Sequence, residues 1–173
     1  IGPAGGSLEA IGPNGALLNL VIPAGALLTE TEISLTPVAA VPDLPGAAEL
    51  TAGAQFGPSG LLFRVPATFS VTVPDDVALG TPNGFGWTGN GQNPSLWPAF
   101  VRGREFEFIV PHFTGVVVIS GEAALIEEEL RNRNAVERIF AARLTVLLEE
   151  IRDELCAAEC SPDAEVAVWV ELG

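Results

Sequence analysis

Between Ser7 and Ile119, apolar and polar residues alternate in short runs broken by Gly, Pro and Asn. A period of two predicts half-buried antiparallel strands, because successive side chains of a strand point to opposite faces. Leu18, Leu20 and Ile22 alternate after the turn Gly12-Pro13-Asn14-Gly15, and Ile33 and Leu35 point inward between Glu32, Ser34 and Thr36. Phe69, Val71 and Val73 alternate with Thr68, Ser70 and Thr72, as do Phe106, Phe108 and Val110 with Glu105 and Glu107. Gly57-Pro58-Ser59-Gly60 and Gly89-Asn90-Gly91-Gln92-Asn93 read as strand connections. Many short strands at close spacing predict a mainly β fold, an antiparallel β-sandwich.

After Gly121 the pattern changes. A run rich in Ala, Leu, Glu and Arg continues to about residue 159 without Pro or Gly, which predicts a helix. Val136, Phe140, Leu144, Leu147, Ile151 and Leu155 recur at spacings of three and four and form one apolar stripe. Asn132 and Asn134 mark the expected break, so that one helix or two remain open. Unbroken, the helix would be on the order of 50 Å long, against about 20 Å for a strand of ordinary length, so part of its stripe must find cover beyond a sandwich. Val166, Val168 and Val170 then alternate with Ala167, Trp169 and Glu171 as a last strand that needs a sheet edge. The expected organisation is a sandwich over 1–120, a helical segment over 121–160 and a strand segment over 161–173.

Composition sharpens this picture. Of the residues, 48% are apolar and only 17% charged, against about 25% in an average domain, and the mean hydropathy is +0.38. Asp and Glu number 22 against 8 cations, all Arg, for a net charge of -14. Such a chain repels phosphate backbones and anionic headgroups, which excludes nucleic acid as a partner. No apolar run approaches the roughly 18 residues of a membrane span, so no membrane insertion is expected. Met is absent and the chain opens at Ile1, as expected of a processed or excised piece. The remaining apolar excess is expected to lie against protein, either copies of this chain in a homo-oligomer or other domains of a parent chain.

The segment from about Gly5 to Val73 resembles the ZU-five domain, a β-sandwich module of tight-junction and netrin-receptor proteins, ankyrins and many bacterial surface proteins. The resemblance rests on Gly5-Gly6-Ser7-Leu8, on Leu18 to Ile22 followed by Pro23-Ala24-Gly25-Ala26-Leu27, and on Phe56-Gly57-Pro58-Ser59-Gly60 with Phe63 and Pro66. It extends to about residue 119, where His112-Phe113-Thr114 resembles the His-Phe-Ser tripeptide at which some domains of this family cut themselves. Membership would imply a ZU-five-like sandwich and a bacterial extracellular or cell-surface location. The helix after Gly121 matches nothing in the family.

Several chemistries are open to these residues. For self-cleavage, the Thr114 hydroxyl would attack the Phe113 carbonyl carbon, with His112, the single histidine, taking the proton. The plain alternative is a strand residue beside a His. A triad around Ser59 lacks the nucleophile-elbow glycines, and a phosphate loop fails for want of Lys. Cys156 and Cys160 have a spacing that suits a disulfide better than zinc. Asp75-Asp76 and Glu127-Glu128-Glu129 lack the alternating oxygens of a calcium loop and read as a turn and a solvated helix face. No cofactor or metal is expected. Trp87, Trp97 and Phe100 suit either a sugar-stacking platform or, as expected here, the closing of one end of the core.

The expected function is therefore a non-enzymatic structural or assembly module acting through helix packing or strand addition, with self-processing at Phe113–Thr114 as the alternative.

Overall fold

The structure, a computed structural model, describes residues 1–88, 92–135, 143, 144 and 146–148. It divides into two compact units, Ile1–Leu130 and Arg131–Gly173. Among its described residues the first unit contains ten strands: β1 (Gly6–Ile11), β2 (Leu17–Ile22), β3 (Ser34–Pro37), β4 (Glu49–Gly57), β5 (Leu62–Thr72), β6 (Pro82–Thr88), β7 (Gln92–Leu96), β8 (Phe100–Arg102), β9 (Glu105–His112) and β10 (Gly115–Ser120). They form two five-stranded sheets, in the orders β1-β2-β5-β9-β8 and β3-β4-β10-β6-β7, with every pairing antiparallel. The alternation read from the sequence thus yields the expected two-sheet antiparallel architecture.

The inner faces of both sheets meet in one apolar core. Leu18, Leu20, Phe69, Val71, Phe106 and Phe108 come from the first sheet, and Ala52, Ala54, Phe56, Val116 and Val118 from the second. The predicted inward residues of β2, β5 and β9 are all buried, and Ile33 and Leu35 are half-buried at its margin. Phe56 meets Phe69 edge-on at 4.9 Å, a favoured aromatic geometry. The first hairpin turns through Gly12–Gly15, with the Gly15 N–H donating to Gly12 O at 3.0 Å and the Gly12 N–H to Ala16 O at 2.8 Å.

The second sheet departs from simple alternation. In β10, Gly115 through Ile119 are all buried, because its outer face is also covered. Phe85, Trp87, Val117 and Ile119 on that face pack with Ile126 and Leu130 of the helical residues 123–130 in a second apolar cluster. A strand covered on both faces reads as a continuous apolar run rather than an alternation, which is what Val116-Val117-Val118-Ile119 is. The helix start is tied down by the Gly46 N–H, which donates to Glu129 Oε2 at 2.5 Å. Gly46 has φ 66°, and a Cβ there would lie 3.0 Å from the Ile126 nitrogen, so both backbone conformation and close approach require glycine.

Strand β6 has an inverted distribution of bulk. Phe85 and Trp87 face the outer cluster, while Gly84 and Gly86 face inward and leave room for other side chains. A Cβ on Gly84 would come within 2.6 Å of the Phe108 ring, and one on Gly86 within 2.6 Å of the Trp97 indole. Of the three aromatics expected to close one end of the core, Trp97 packs against it, Trp87 is buried on the opposite face of its sheet, and Phe100 is exposed. The reason is the period of two, which puts Trp87 on the face of Phe85, and Gly115, its partner on β10, leaves the indole room there, since a Cβ on Gly115 would collide with the ring.

In the second unit the described residues 131–135, 143, 144 and 146–148 are helical, as expected for the run after Gly121. Val136, Phe140, Ile151, Leu155, Cys156, Cys160, Val166, Val168 and Val170 lie outside the described residues.

Candidate functional site

Strand β9 belongs to the first sheet and β10 to the second, so the link Phe113–Thr114 carries the chain from one layer of the sandwich to the other. Crossing between layers puts both residues in the core: Phe113 is buried and Thr114 is 0% exposed. The Phe113 ring stacks on Phe56 at 5.3 Å and takes Phe63 edge-on at 4.9 Å. Its N–H donates to Leu61 O at 2.8 Å, and its carbonyl accepts the Gly60 N–H at 3.1 Å. The Phe56 N–H donates to Thr114 O at 3.2 Å. The residue before the candidate scissile bond is therefore fixed by two rings and two main-chain hydrogen bonds.

Within this cage the Thr114 hydroxyl oxygen is buried and meets no hydrogen-bond partner among the described residues. A buried hydroxyl without a partner costs on the order of 1–3 kcal/mol, so its retention calls for a reason. The Gly60 N–H supplies what an acyl-transfer site needs at the attacked carbonyl, a fixed donor where negative charge develops. His112 pairs in register with Leu62 and is half-buried, its ring edge-on to Trp97 at 5.9 Å. It makes no hydrogen bond to the Thr114 hydroxyl, so a base is adjacent in sequence but not engaged with the nucleophile.

Around this link the Trp87 indole N–H donates to Gln55 Oε1 at 2.9 Å, and Gln55 pairs with Gly115 in the sheet. No motif or spacing in the sequence marks Gln55, Gly60 or Leu61 for a part here. Gly57-Pro58-Ser59-Gly60 was legible as a turn, but nothing in the sequence said that the amide of its last residue would reach Phe113.

The other candidates are spread over the molecule. Trp97 lines an open pocket of about 300 Å³ with Pro98, Val101, Phe106 and Asn83, and its indole N–H donates to Ile109 O at 3.2 Å. Trp87 is withdrawn from the surface and takes no part in that pocket. Asp75 lies in a turn 3.6 Å from Arg104, whose guanidinium also donates to the carbonyls of Val73, Pro74 and Val77. Glu127 and Glu128 are exposed on the helix, while Glu129 holds Gly46. Among the described residues no cluster of His, Cys, Asp or Glu has the geometry of a metal site, and no helix is long and apolar enough to cross a membrane.

Of the apolar stripe expected to form an interface, the two described members are exposed, Leu144 by 57% and Leu147 by 40%, as are Val146 and Leu148. On the first sheet Ile11, Leu17, Val21, Phe100 and Ile109 are likewise exposed. Comparison with known proteins finds no matching family model and no matching curated protein.

Proposed function

We propose that this chain is a non-enzymatic assembly module of a bacterial extracellular or cell-envelope protein, of ZU-five-like type, that works through contacts with other protein surfaces. The observation that carries the reading is the exposure of Leu144 and Leu147 on helical backbone. Large side chains in contiguous exposed groups mark interaction surfaces, whereas isolated ones do not, and here Leu148, one helical turn from Leu144, is exposed on the same side. The low share of charged residues, 17%, supports the same reading. A partner helix or a second copy covering such a stripe would gain about 25 cal/mol for each Å² of apolar surface removed from water.

The test is the double substitution Leu144→Asp with Leu147→Asp in the full chain. Light scattering should show the wild type above the monomer mass and the variant at a lower mass than the wild type, with circular dichroism unchanged. A variant that unfolds as a monomer would instead mean that the stripe packs within its own chain, and the reading would fail.

A second reading is favoured by one observation, the partnerless Thr114 hydroxyl beside the Phe113 carbonyl that Gly60 already engages. In it Thr114 Oγ1 attacks the Phe113 carbonyl carbon while His112 takes the hydroxyl proton. The C–N bond breaks, the Thr114 nitrogen leaves as an amine after receiving that proton, and an ester joins Phe113 to the Thr114 oxygen. Water then hydrolyses the ester to a Phe113 carboxylate and a free hydroxyl. Intact-mass analysis after long incubation at neutral pH should show fragments 1–113 and 114–173, absent in Thr114→Ala. A single uncut mass would end this reading.

A further inference from the structure

The two sheets have four edges, and three are blocked against pairing with another strand. Strand β3 is four residues long and ends in Pro37, β7 contains Pro94 and an irregular register, and β8 is three residues long. Short length, proline and bulges are the usual protections of an edge. Strand β1 has none of them: six residues in regular register with β2, without proline, and with a single charge, Glu9.

The Gly12 N–H to Ala16 O bond fixes the phase of the ladder. Hydrogen-bonded and non-hydrogen-bonded pairs alternate in an antiparallel ladder. Leu8 with Leu20 and Ala10 with Leu18 are therefore bonded pairs, and the N–H and C=O groups of Ser7, Glu9 and Ile11 point away from β2. Among the described residues these groups have no main-chain partner outside the ladder. On the inner side of the same edge Leu8, Ala10, Ile33 and Leu35 are only half-buried at the margin of the core, where β1 and β3 adjoin.

We propose that the β1 edge is a self-complementary pairing surface for a second copy of this chain, held weak by the charge of Glu9. The outward groups are centred on Glu9, so a two-fold axis there pairs Ser7 with Ile11 of the second copy and Glu9 with its own equivalent. All the outward main-chain groups are then satisfied by one isologous contact that closes as a dimer. Leu8 comes opposite Ala10 of the second copy on the inner face, which covers the half-buried margin. On the outer face the exposed Leu17 and Ile11 of one copy continue through Ser7 to the exposed Val21 of the other. The one unfavourable pair is Glu9 with Glu9, like charges directly opposite each other. In the register Glu9 faces Asn19, with Ser70 and Glu107 beyond it on the same face, so no cation relieves it.

This inference rests on the reading of the chain as an assembly module and names an edge and a partner for it. Three substitutions in the full chain test it, followed by sedimentation velocity. Glu9→Gln should lower the dimer dissociation constant about fivefold, the size of a cross-strand like-charge penalty. Glu9→Pro removes the same charge together with the outward N–H, which β2 does not use, and should abolish the gain. Should that variant lose its strand signature by circular dichroism, Ser7→Pro added to Glu9→Gln takes its place. Glu9→Cys, with Cys156→Ser and Cys160→Ser, should form a disulfide-linked dimer faster than Val21→Cys in the same background. Association that ignores all three would overturn the edge proposal and leave the assembly reading standing. A monomer throughout, Glu9→Gln included, would overturn both.

Discussion

Ile109 and Ile119 occupy the outer faces of the two sheets, on consecutive strands, yet the first is 43% exposed and the second 0%. The difference lies in what covers each sheet. Among the described residues of the first unit none covers the outer face of β1-β2-β5-β9-β8, so its strands alternate between buried and exposed positions. The other sheet is sandwiched between the core and a second cluster built from the helix start, Val38, Val41 and Leu44. Among the described residues of the first unit, one sheet thus has one dry face and the other has two. The lesson is that the fold ends at the first turns of the helix rather than at the last strand.

The sharpest way to break this comparison is to place a carboxylate at both positions. Ile119→Asp buries an uncompensated charge and is expected to unfold the first unit or cost more than about 4 kcal/mol, whereas Ile109→Asp should cost about 0.5 kcal/mol or less, both read by urea denaturation. Next in size is Ile126→Ala, which opens a cavity beneath the helix start and should cost about 2–5 kcal/mol. If it behaved like an exposed helix position, the second cluster would not be part of the fold. Glu129→Ala removes the carboxylate that accepts the Gly46 N–H and should cost about 1.5–3 kcal/mol, with Glu129→Gln restoring part of it.

Asn14→Ala should cost about 1 kcal/mol. Its amide donates to Thr51 O at 2.7 Å, at the irregularity where the β4–β10 register passes from Ala52 to Leu50 and leaves Thr51 unpaired. The smallest effect is expected at Thr114→Val, which replaces a partnerless buried hydroxyl by a methyl group and should be neutral or stabilise by up to about 1 kcal/mol. A large loss there would mean that the hydroxyl has a structural partner after all.

What the sequence made legible follows the same division. Phe69, Val71, Phe106 and Phe108 alternate with polar residues because one face of their sheet meets water, and alternation is the signal that pattern reading detects. Strand β6 carries no such signal, since Pro-Asn-Gly-Phe-Gly-Trp-Thr has glycines where an inward-facing strand would carry bulk; the space they leave is filled by Trp97 and Phe108, which come later in the chain. The carboxylate of Glu129 looked like part of a solvated helix face, because its partner is a main-chain N–H eighty-three positions away, invisible in composition or spacing. The His112-Phe113-Thr114 tripeptide was visible by resemblance, but its burial, the Gly60 donor and the unengaged His112 are products of the crossing between sheets.

Sedimentation velocity of the full chain at neutral pH, across a hundredfold range of concentration, tests most directly whether this is an assembling module. Association should rise with concentration, and the distribution should move above the 18.0 kDa monomer. A single monomer boundary at every concentration would contradict the account.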